Sequence, residues 1–404
     1  MSAPASLHFD IAILGGGIAG LWLLNDLRRR GYSALLLEAR ALGGGQSVAS
    51  QGMIHGGIKY SLAGALSGAS EAIAAMPGYW RRCLSGTGDL DLRRARVLSE
   101  HFYLWSSNAA GSRVTTFLAS RAVRGRVESV PGAERPPLFR EPGFRGALYR
   151  LVDLVLDVPS LVAALAEPWR DAIFSLAGTA HVWARDGTGE LVLELTTPTE
   201  HLRLAPAAFV CAAGAGNEAL IAELGADAPV MQRRPLQQVF VRHCYPHALH
   251  GHCLGRETTP RLTISSHPVG AGEQVWYLGG TLAEEGVGMT PAALIERARR
   301  ELAELLPWVP LGADARWGTF AIDRAEPRQH GLVRPDQAFA DWADCPGNAL
   351  IAWPTKLTLC PDLARQVAAR LEARGIAPRG GPTPALPLPP PPLAPTPWQE
   401  AFGD

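Results

Sequence analysis

Lysine is nearly missing from this chain. Of its 38 Lys and Arg residues only Lys59 and Lys356 are lysine. An excess of charge is missing as well: 38 cations face 38 Asp and Glu, for a formal net charge of zero. That balance excludes a nucleic-acid footprint built on a basic surplus and a polybasic membrane anchor. No apolar run is long enough for a bilayer span, since the longest, residues 11–24, holds four glycines and stops at Asn25-Asp26. Residues 1–10 carry an acid and no basic segment, so no secretory signal is read there. The six cysteines are scattered without a C-x-x-C pair. A disulfide framework is therefore not expected, and a reducing cytoplasm is the expected compartment.

What is present is ample core material. The chain has 404 residues, 47% of them hydrophobic, enough for two or three domains. Residues 9–14 read as a short buried strand, 18–30 as a helix ended by Gly31, and 33–37 as a second buried strand ending at Glu38. Together they form a βαβ unit. Further helices are expected at 69–76, 91–107, 217–224, 291–306 and 362–374. Strands are expected in 113–130, 174–204, 208–213, 234–241, 261–266, 274–278 and 349–353. Residues 377–397 are dominated by proline and read as an extended or disordered tail.

The turn after the first strand reads Gly15-Gly16-Gly17-Ile18-Ala19-Gly20, a match to G-x-G-x-x-G. Gly15 permits the tight turn, Gly17 lets a pyrophosphate approach the backbone, and Gly20 lets helix and strand pack closely. Unpaired N–H groups at Ile18 and Ala19, at the helix start, suit phosphate. Glu38, followed by Ala39 and Arg40, stands where a carboxylate accepts from ribose hydroxyls and repels a 2′-phosphate. Adenine-dinucleotide binding is the reading. The Gly-rich loop 43–52, with Gln46, Ser47, Ser50, Gln51 and Gly52, favours FAD over NAD, because small residues let backbone amides run beside a ribityl chain and flavin ring.

Residues 38–60 resemble the D-amino-acid-oxidase-like FAD superfamily. Within it, Ser50-Gln51-Gly52-Met53-Ile54-His55-Gly56-Gly57-Ile58-Lys59-Tyr60 is similar to the flavin-dependent glycerol-3-phosphate dehydrogenases and to L-2-hydroxyglutarate dehydrogenases. Val210-Cys211-Ala212-Ala213-Gly214-Ala215-Gly216 resembles the superfamily's A-A-G motif, Leu156-Asp157 its V-D-P segment, and Thr355-Lys356-Leu357-Thr358 the G-K-L-T motif of the glycerol-phosphate enzymes. The likeness spans about residues 9–374, with a divergent middle. Lys59 stands where those enzymes usually carry Arg, Trp353-Pro354 replaces a Gly pair, and Gly44–Gln46 replaces a Thr-Ser-rich entry.

The resemblance implies an α/β architecture: a Rossmann-like FAD domain (1–75, 150–225, 325–375) with an inserted α+β substrate domain (76–149, 226–324) built on an antiparallel sheet, then a Pro-rich tail (376–404). It implies noncovalent FAD held by the glycine turn, Glu38, loop 46–54 including Met53 and Ile54, Ala213-Gly214 and the 355–358 segment. Hydride chemistry at carbon also needs a proton acceptor, an anion-binding group, and positive potential near flavin N1–C2=O. His55 is the first candidate acceptor, and His267 an alternative. Lys59 and Tyr60 would face the substrate. Arg324 would clamp a substrate anion, unless it merely pairs with its neighbours Asp323 and Glu326. Lys356 and the helix start near Pro361 would supply the positive field. The cluster His243, Cys244, His247, His250, His252 and Cys253 has no standard zinc spacing, and Pro246 interrupts it, so no metal is expected.

The implied activity is FAD-dependent oxidation of a small anionic 2-hydroxy compound, with electrons leaving to a quinone, another acceptor or O₂. Two alternatives are an amine or D-amino-acid oxidase of the same superfamily, and a flavoprotein whose FAD is structural and whose Pro-rich tail binds a partner. The neutral charge counts against a tRNA-directed role.

Overall fold

The computed structural model describes residues 6–57, 68–106, 127–254, 260–330, 335 and 337–403. Its architecture is mixed α/β and is built on two eight-stranded sheets and one small three-stranded sheet.

The first large sheet forms around the βαβ start. Strand β1 (Ser6–Leu14) leads into helix α1 (Ile18–Arg29), and strand β2 (Ala34–Glu38) returns parallel to β1, Ile11 opposite Ala34 and Leu14 opposite Leu37. These strands read as nearly unbroken apolar runs because helices cover the sheet. Helix α1 buries ten consecutive residues, from Ile18 to Leu27. On the other side of β1 the long strand His201–Cys211 runs parallel, and Ala349–Trp353 runs parallel to its end. The helix Cys360–Ala373 follows and packs in the same core as α1, through Leu363, Val367 and Leu371.

The second large sheet runs in the order Arg316–Pro327, Met231–His243, Glu273–Gly279, Leu262–Gly270, Gly251–Leu254, Phe102–Ser106, Leu148–Leu151, Val127–Ser129. Every neighbouring pair is antiparallel except Gly251–Leu254 with Phe102–Ser106. Its outer face buries Val239, Val241, Ile264, Trp276 and Leu278 against the amphipathic helix Pro291–Leu305. The small sheet joins Met53–Ile54, Leu154–Leu156 and Val97–Ser99.

Two expectations change. Residues 91–107 are not helical: the described part holds the strands Val97–Ser99 and Phe102–Ser106. The aromatic run Phe102-Tyr103-Leu104-Trp105 suits a pleated, half-buried surface better than a helix, and it is paired on both edges. The Pro-rich segment is extended, as its composition requires, but it is not loose. Arg379 N donates to the buried Asp10 carboxylate at 3.2 Å, Ser175 N to Pro389 O at 2.8 Å, and Leu42 exchanges bonds with Pro392 O and Ala394 N. It ends in the helix Pro397–Phe402, closed by a capping box between Thr396 and Gln399. Trp398 of that helix is buried on the second sheet, its ring 4.9 Å from His267 and 5.9 Å from Tyr277. The strap thus ties the first sheet to the second.

Candidate active site

The turn after β1 can be built only with glycine at two positions. A Cβ on Gly20 would lie 1.9 Å from Gly15 O, so α1 sits as close to the strand as backbone permits. Gly15 has φ +110°, and a Cβ there would meet Ala213 Cα at 2.6 Å. The turn therefore rests directly on the Ala212-Ala213-Gly214 segment. Helix α1 begins at Gly17 with no side-chain cap and no acid in its first turn. Ser47 Oγ accepts from Ile18 N at 3.1 Å, and Gly43 N donates to Gly16 O at 2.9 Å, which folds the start of the second Gly-rich loop over the helix start. Glu38 Oε2 accepts from Gly16 N, and its Oε1 accepts from Arg40 N at 2.8 Å. The carboxylate is thus locked beside the turn, with Ala39 and Arg40 exposed next to it.

The loop then crosses to the second sheet. Gln46 Oε1 accepts from Ala325 N at 3.1 Å. Gln51 Nε2 donates to Tyr277 O at 2.7 Å, and Tyr277 Oη donates to Ala49 O at 2.9 Å. Ser50 and Gln51 are part-exposed, whereas Gly52, Met53 and Ile54 are buried. Gly52 has φ +69°, and a Cβ would stand 2.0 Å from Leu156 O. That contact starts the pairing of Met53 with Val155 and Ile54 with Leu154.

His55 follows at the end of this short strand. Its backbone N donates to Thr358 Oγ1 at 2.9 Å, and its Nδ1 lies 3.7 Å from Asp153 Oδ2. The other Asp153 oxygen accepts from Gly56 N at 2.7 Å. The motif loop 52–56 and the 355–358 segment, about three hundred residues apart in sequence, are therefore in direct contact. Thr355 adopts φ +59° and donates through Oγ1 to Gln337 O, while Lys356 is buried. Leu357 opens the turn Leu357–Leu359, which runs straight into the helix Cys360–Ala373. Trp80 Nε1 donates to Thr358 O at 3.1 Å and pins that turn.

Arg324 lies on the strand that carries Ala325. It does not pair with its sequence neighbours: Asp323 binds Arg233 at 3.3 Å and Glu326 binds Arg234 at 2.7 Å. Alternation puts Asp323 on the opposite face from Arg324, whereas Glu326 shares its face and is taken by Arg234. Its Nη1 lies 3.9 Å from Glu284 on the short helix Thr281–Glu285. His267 is buried beneath Trp398, its Nε2 2.8 Å from Ser265 Oγ, and burial pushes its pKa down to about 4. Of the His-Cys cluster, His252 Nδ1 is 2.8 Å from Thr263 Oγ1, whereas His243 packs edge-on against Trp276 on the opposite face. Lys59 and Tyr60 lie outside the described residues. Asp153, which sequence reasoning passed over, is the unforeseen member of the group around His55.

A glycine turn at a helix start, a fixed carboxylate at the end of β2, and a sheet facing the second loop together mark a dinucleotide-binding protein. The chain belongs to the DAO family of FAD-dependent oxidoreductases, whose family model matches residues 10–338. It is 52% identical over 401 residues to a Pseudomonas aeruginosa protein described as the probable FAD-dependent oxidoreductase PA4991, covering 99% of this chain and 100% of that one. The crystal structure of PA4991 matches with a TM-score of 0.83 at 47% identity, over 99% of this chain and 100% of that one. Glycine oxidase from Geobacillus kaustophilus matches with a TM-score of 0.65 at 18% identity, over 91% and 95% of the two chains. The L-α-glycerophosphate oxidase of Mycoplasma pneumoniae, solved with FAD bound, matches with 0.61 at 14%, also over 91% and 95%. These last two likenesses concern the fold.

The cofactor is FAD, and the residues present fit it. A Cβ at Gly15 would strike Ala213 and one at Gly20 would strike Gly15 O, so the turn keeps the tight, bare backbone that a diphosphate approaches. The first turn of α1 itself carries no acid. No described helix is long and apolar enough to cross a membrane.

Proposed function

We propose that this FAD-dependent oxidoreductase oxidises a small anionic 2-hydroxy compound, of the glycerol-phosphate or 2-hydroxy-acid kind, to the corresponding carbonyl compound. The observation that carries the reading is the meeting of His55 with Thr358 and Asp153 at the end of the Gly52–Ile54 loop. Ile18, Ala19 and the glycine turn would hold the diphosphate, Glu38 the ribose, and the 46–54 loop, Ala213-Gly214 and the 355–358 segment the remainder of the cofactor. When bound, FAD supplies the two-electron acceptor for a hydride leaving the substrate carbon. His55 takes the hydroxyl proton, which leaves the oxygen free to form the new C=O bond. Arg324 holds the substrate anion with a planar fork, and Lys59 and Tyr60 complete the substrate side. Lys356 and the start of the helix Cys360–Ala373 supply positive potential to the reduced state. Closure by the second sheet keeps water from the reacting atoms.

A second reading is an amino-acid oxidase. Its support is Glu284 beside Arg324, an anion and a cation suited to the two ends of a zwitterion. Anaerobic mixing of the FAD-loaded protein with glycerol 3-phosphate, 2-hydroxyglutarate, glycine, sarcosine and D-alanine separates the two. Bleaching of the flavin by hydroxy compounds supports the first reading, and bleaching by amines alone supports the second.

A further inference from the structure

We infer that Thr355 is a positioning residue whose strained backbone, tied down by its own hydroxyl and by the indole of Trp353, presets the 355–358 turn for FAD. The inference deepens the reading above and rests on its placement of that turn against the cofactor. Its first support is where the turn stands. Leu37, Leu14, Cys211 and Ile351 form one row across parallel strands of the first sheet: Leu14 lies opposite both Leu37 and Cys211, and Cys211 opposite Ile351. The chain leaves that row at Gly15, at Ala213-Gly214 and at Pro354-Thr355. These turns therefore lie side by side at the carboxyl ends of the strands, where ligands of such sheets bind.

The second support is strain. Thr355 has φ +59°, and among the described residues the one other non-glycine with positive φ is Ala271 at +50°. Ala271 is exposed in the hairpin turn between Leu262–Gly270 and Glu273–Gly279. Glycine would take the Thr355 conformation at little cost, whereas a β-branched residue in the left-handed region is an outlier. Such outliers persist where surrounding bonds over-determine them, and they cluster at ligand clamps. Thr355 Oγ1 donates to Gln337 O at 2.9 Å, and Lys356 N donates to Pro354 O at 2.6 Å, which closes the turn tightly.

The third support is the tether. Trp353 is 1% exposed, and its Nε1 donates to Gly214 O at 3.0 Å. Asn217, fully buried, accepts from Ala213 N at 2.9 Å through Oδ1 and donates to Ala352 O at 3.1 Å through Nδ2. Two side chains thus bolt the Ala213-Gly214 turn to the end of the strand that carries Trp353. On the far side, Thr358 Oγ1 accepts from His55 N, and Thr358 O accepts from Trp80 Nε1. The segment is held at both ends, and Pro354 between them has a fixed φ. A turn already in place spares FAD the cost of ordering it. Fixing one loose residue would weaken binding about five- to thirtyfold.

The test measures the FAD dissociation constant by serial dilution of the holoenzymes, read as released flavin fluorescence, together with hydrogen exchange of peptides covering 353–359. Thr355→Gly removes the strain and the hydroxyl bond together, and should hold FAD about five- to thirtyfold more weakly, with faster exchange in 353–359. Thr355→Ser keeps the hydroxyl and a Cβ and should stay near the wild type. Ala271→Gly makes the same kind of change in an exposed turn and should leave the constant unchanged. Trp353→Phe keeps a ring beside Phe339 but loses the bond to Gly214 O. It should also weaken binding, and it decides the matter if Thr355→Gly does not fold. A wild-type constant in Thr355→Gly or Trp353→Phe, or a Thr355→Ser constant as weak as that of Thr355→Gly, overturns the inference. Exchange in wild-type 353–359 that is the same before and after the flavin is stripped strikes the placement of FAD against the turn, and the inference with it. Protection by FAD joined to an unchanged constant in Thr355→Gly strikes the inference alone. No substrate enters these measurements, so the proposed reaction is tested apart from them.

Discussion

Gly52→Ala and Gly45→Ala make a matched pair that measures how tightly the second Gly-rich loop is built. Both residues have left-handed φ, +69° and +61°. Forcing alanine into that conformation costs about 1–2 kcal/mol at each site. At Gly45 nothing lies within 4 Å of the new Cβ, so the cost ends there. At Gly52 the Cβ would stand 2.0 Å from Leu156 O, a backbone atom that cannot swing aside. The two strands must part, which breaks the 2.8 Å bond from Leu156 N to Gly52 O. Losing it in a buried setting costs about a further 1–3 kcal/mol. Gly52→Ala should therefore destabilise by about 2–5 kcal/mol and Gly45→Ala by about 1–2. Urea unfolding midpoints of the two variants, with flavin content measured on the same samples, give the comparison. Gly52→Ala should also lose flavin, because the parted strands carry Met53 and Ile54. Equal destabilisation of the two variants would refute the reasoning.

Thr358→Val is nearly isosteric and removes the acceptor of His55 N, so it should lower stability by about 1–3 kcal/mol and slow flavin reduction; unchanged reduction would detach Thr358 from the site. Removal of residues 377–404 strips Leu42 of its bonds to Pro392 and Ala394, and should accelerate loss of the cofactor on dilution, read as released flavin fluorescence. Trp398→Ala, at the strap's buried end, should cost about 3–5 kcal/mol, measured by urea unfolding. Burial pushes His243 and His267 down to about 4 and His250 to about 3. Folded pKa values below the unfolded value mean that the unfolded chain binds more protons between pH 4 and the ordinary histidine range. This stabilisation is complete above about pH 6.5 and is lost as pH falls toward 4, and His267→Gln should flatten the urea midpoint's dependence on pH over that window.

The start of the chain was legible because every signal there is local. Strand, glycines, helix and Glu38 follow one another within thirty residues, and Gly20 answers a backbone contact at Gly15, five residues before it. Asp153 was illegible for the opposite reason. It reaches His55 across a ladder of only two or three residues per strand, too short to leave an alternating pattern, and it lies nearly a hundred residues further along. Residues 91–107 carry helix-forming Leu and Arg, and only their partners Gly251–Leu254 and Leu148–Leu151 settle them as strand. Proline content foretold an extended segment after residue 376, but not that Leu42, Ser175 and Asp10 would hold it. The chemistry of His267 was visible in the sequence; the tryptophan that covers it, 131 residues later, was not.

The central claim is that a hydroxyl-bearing carbon gives up hydride while His55 removes the proton. Anaerobic stopped-flow reduction with glycerol 3-phosphate and 2-hydroxyglutarate, protonated or deuterated at the carbinol carbon, tests it most directly. The account predicts flavin bleaching by at least one of them, slowed by deuterium and nearly abolished in His55→Gln that retains its flavin. Bleaching by amines alone, or at the wild-type rate in His55→Gln, would contradict it.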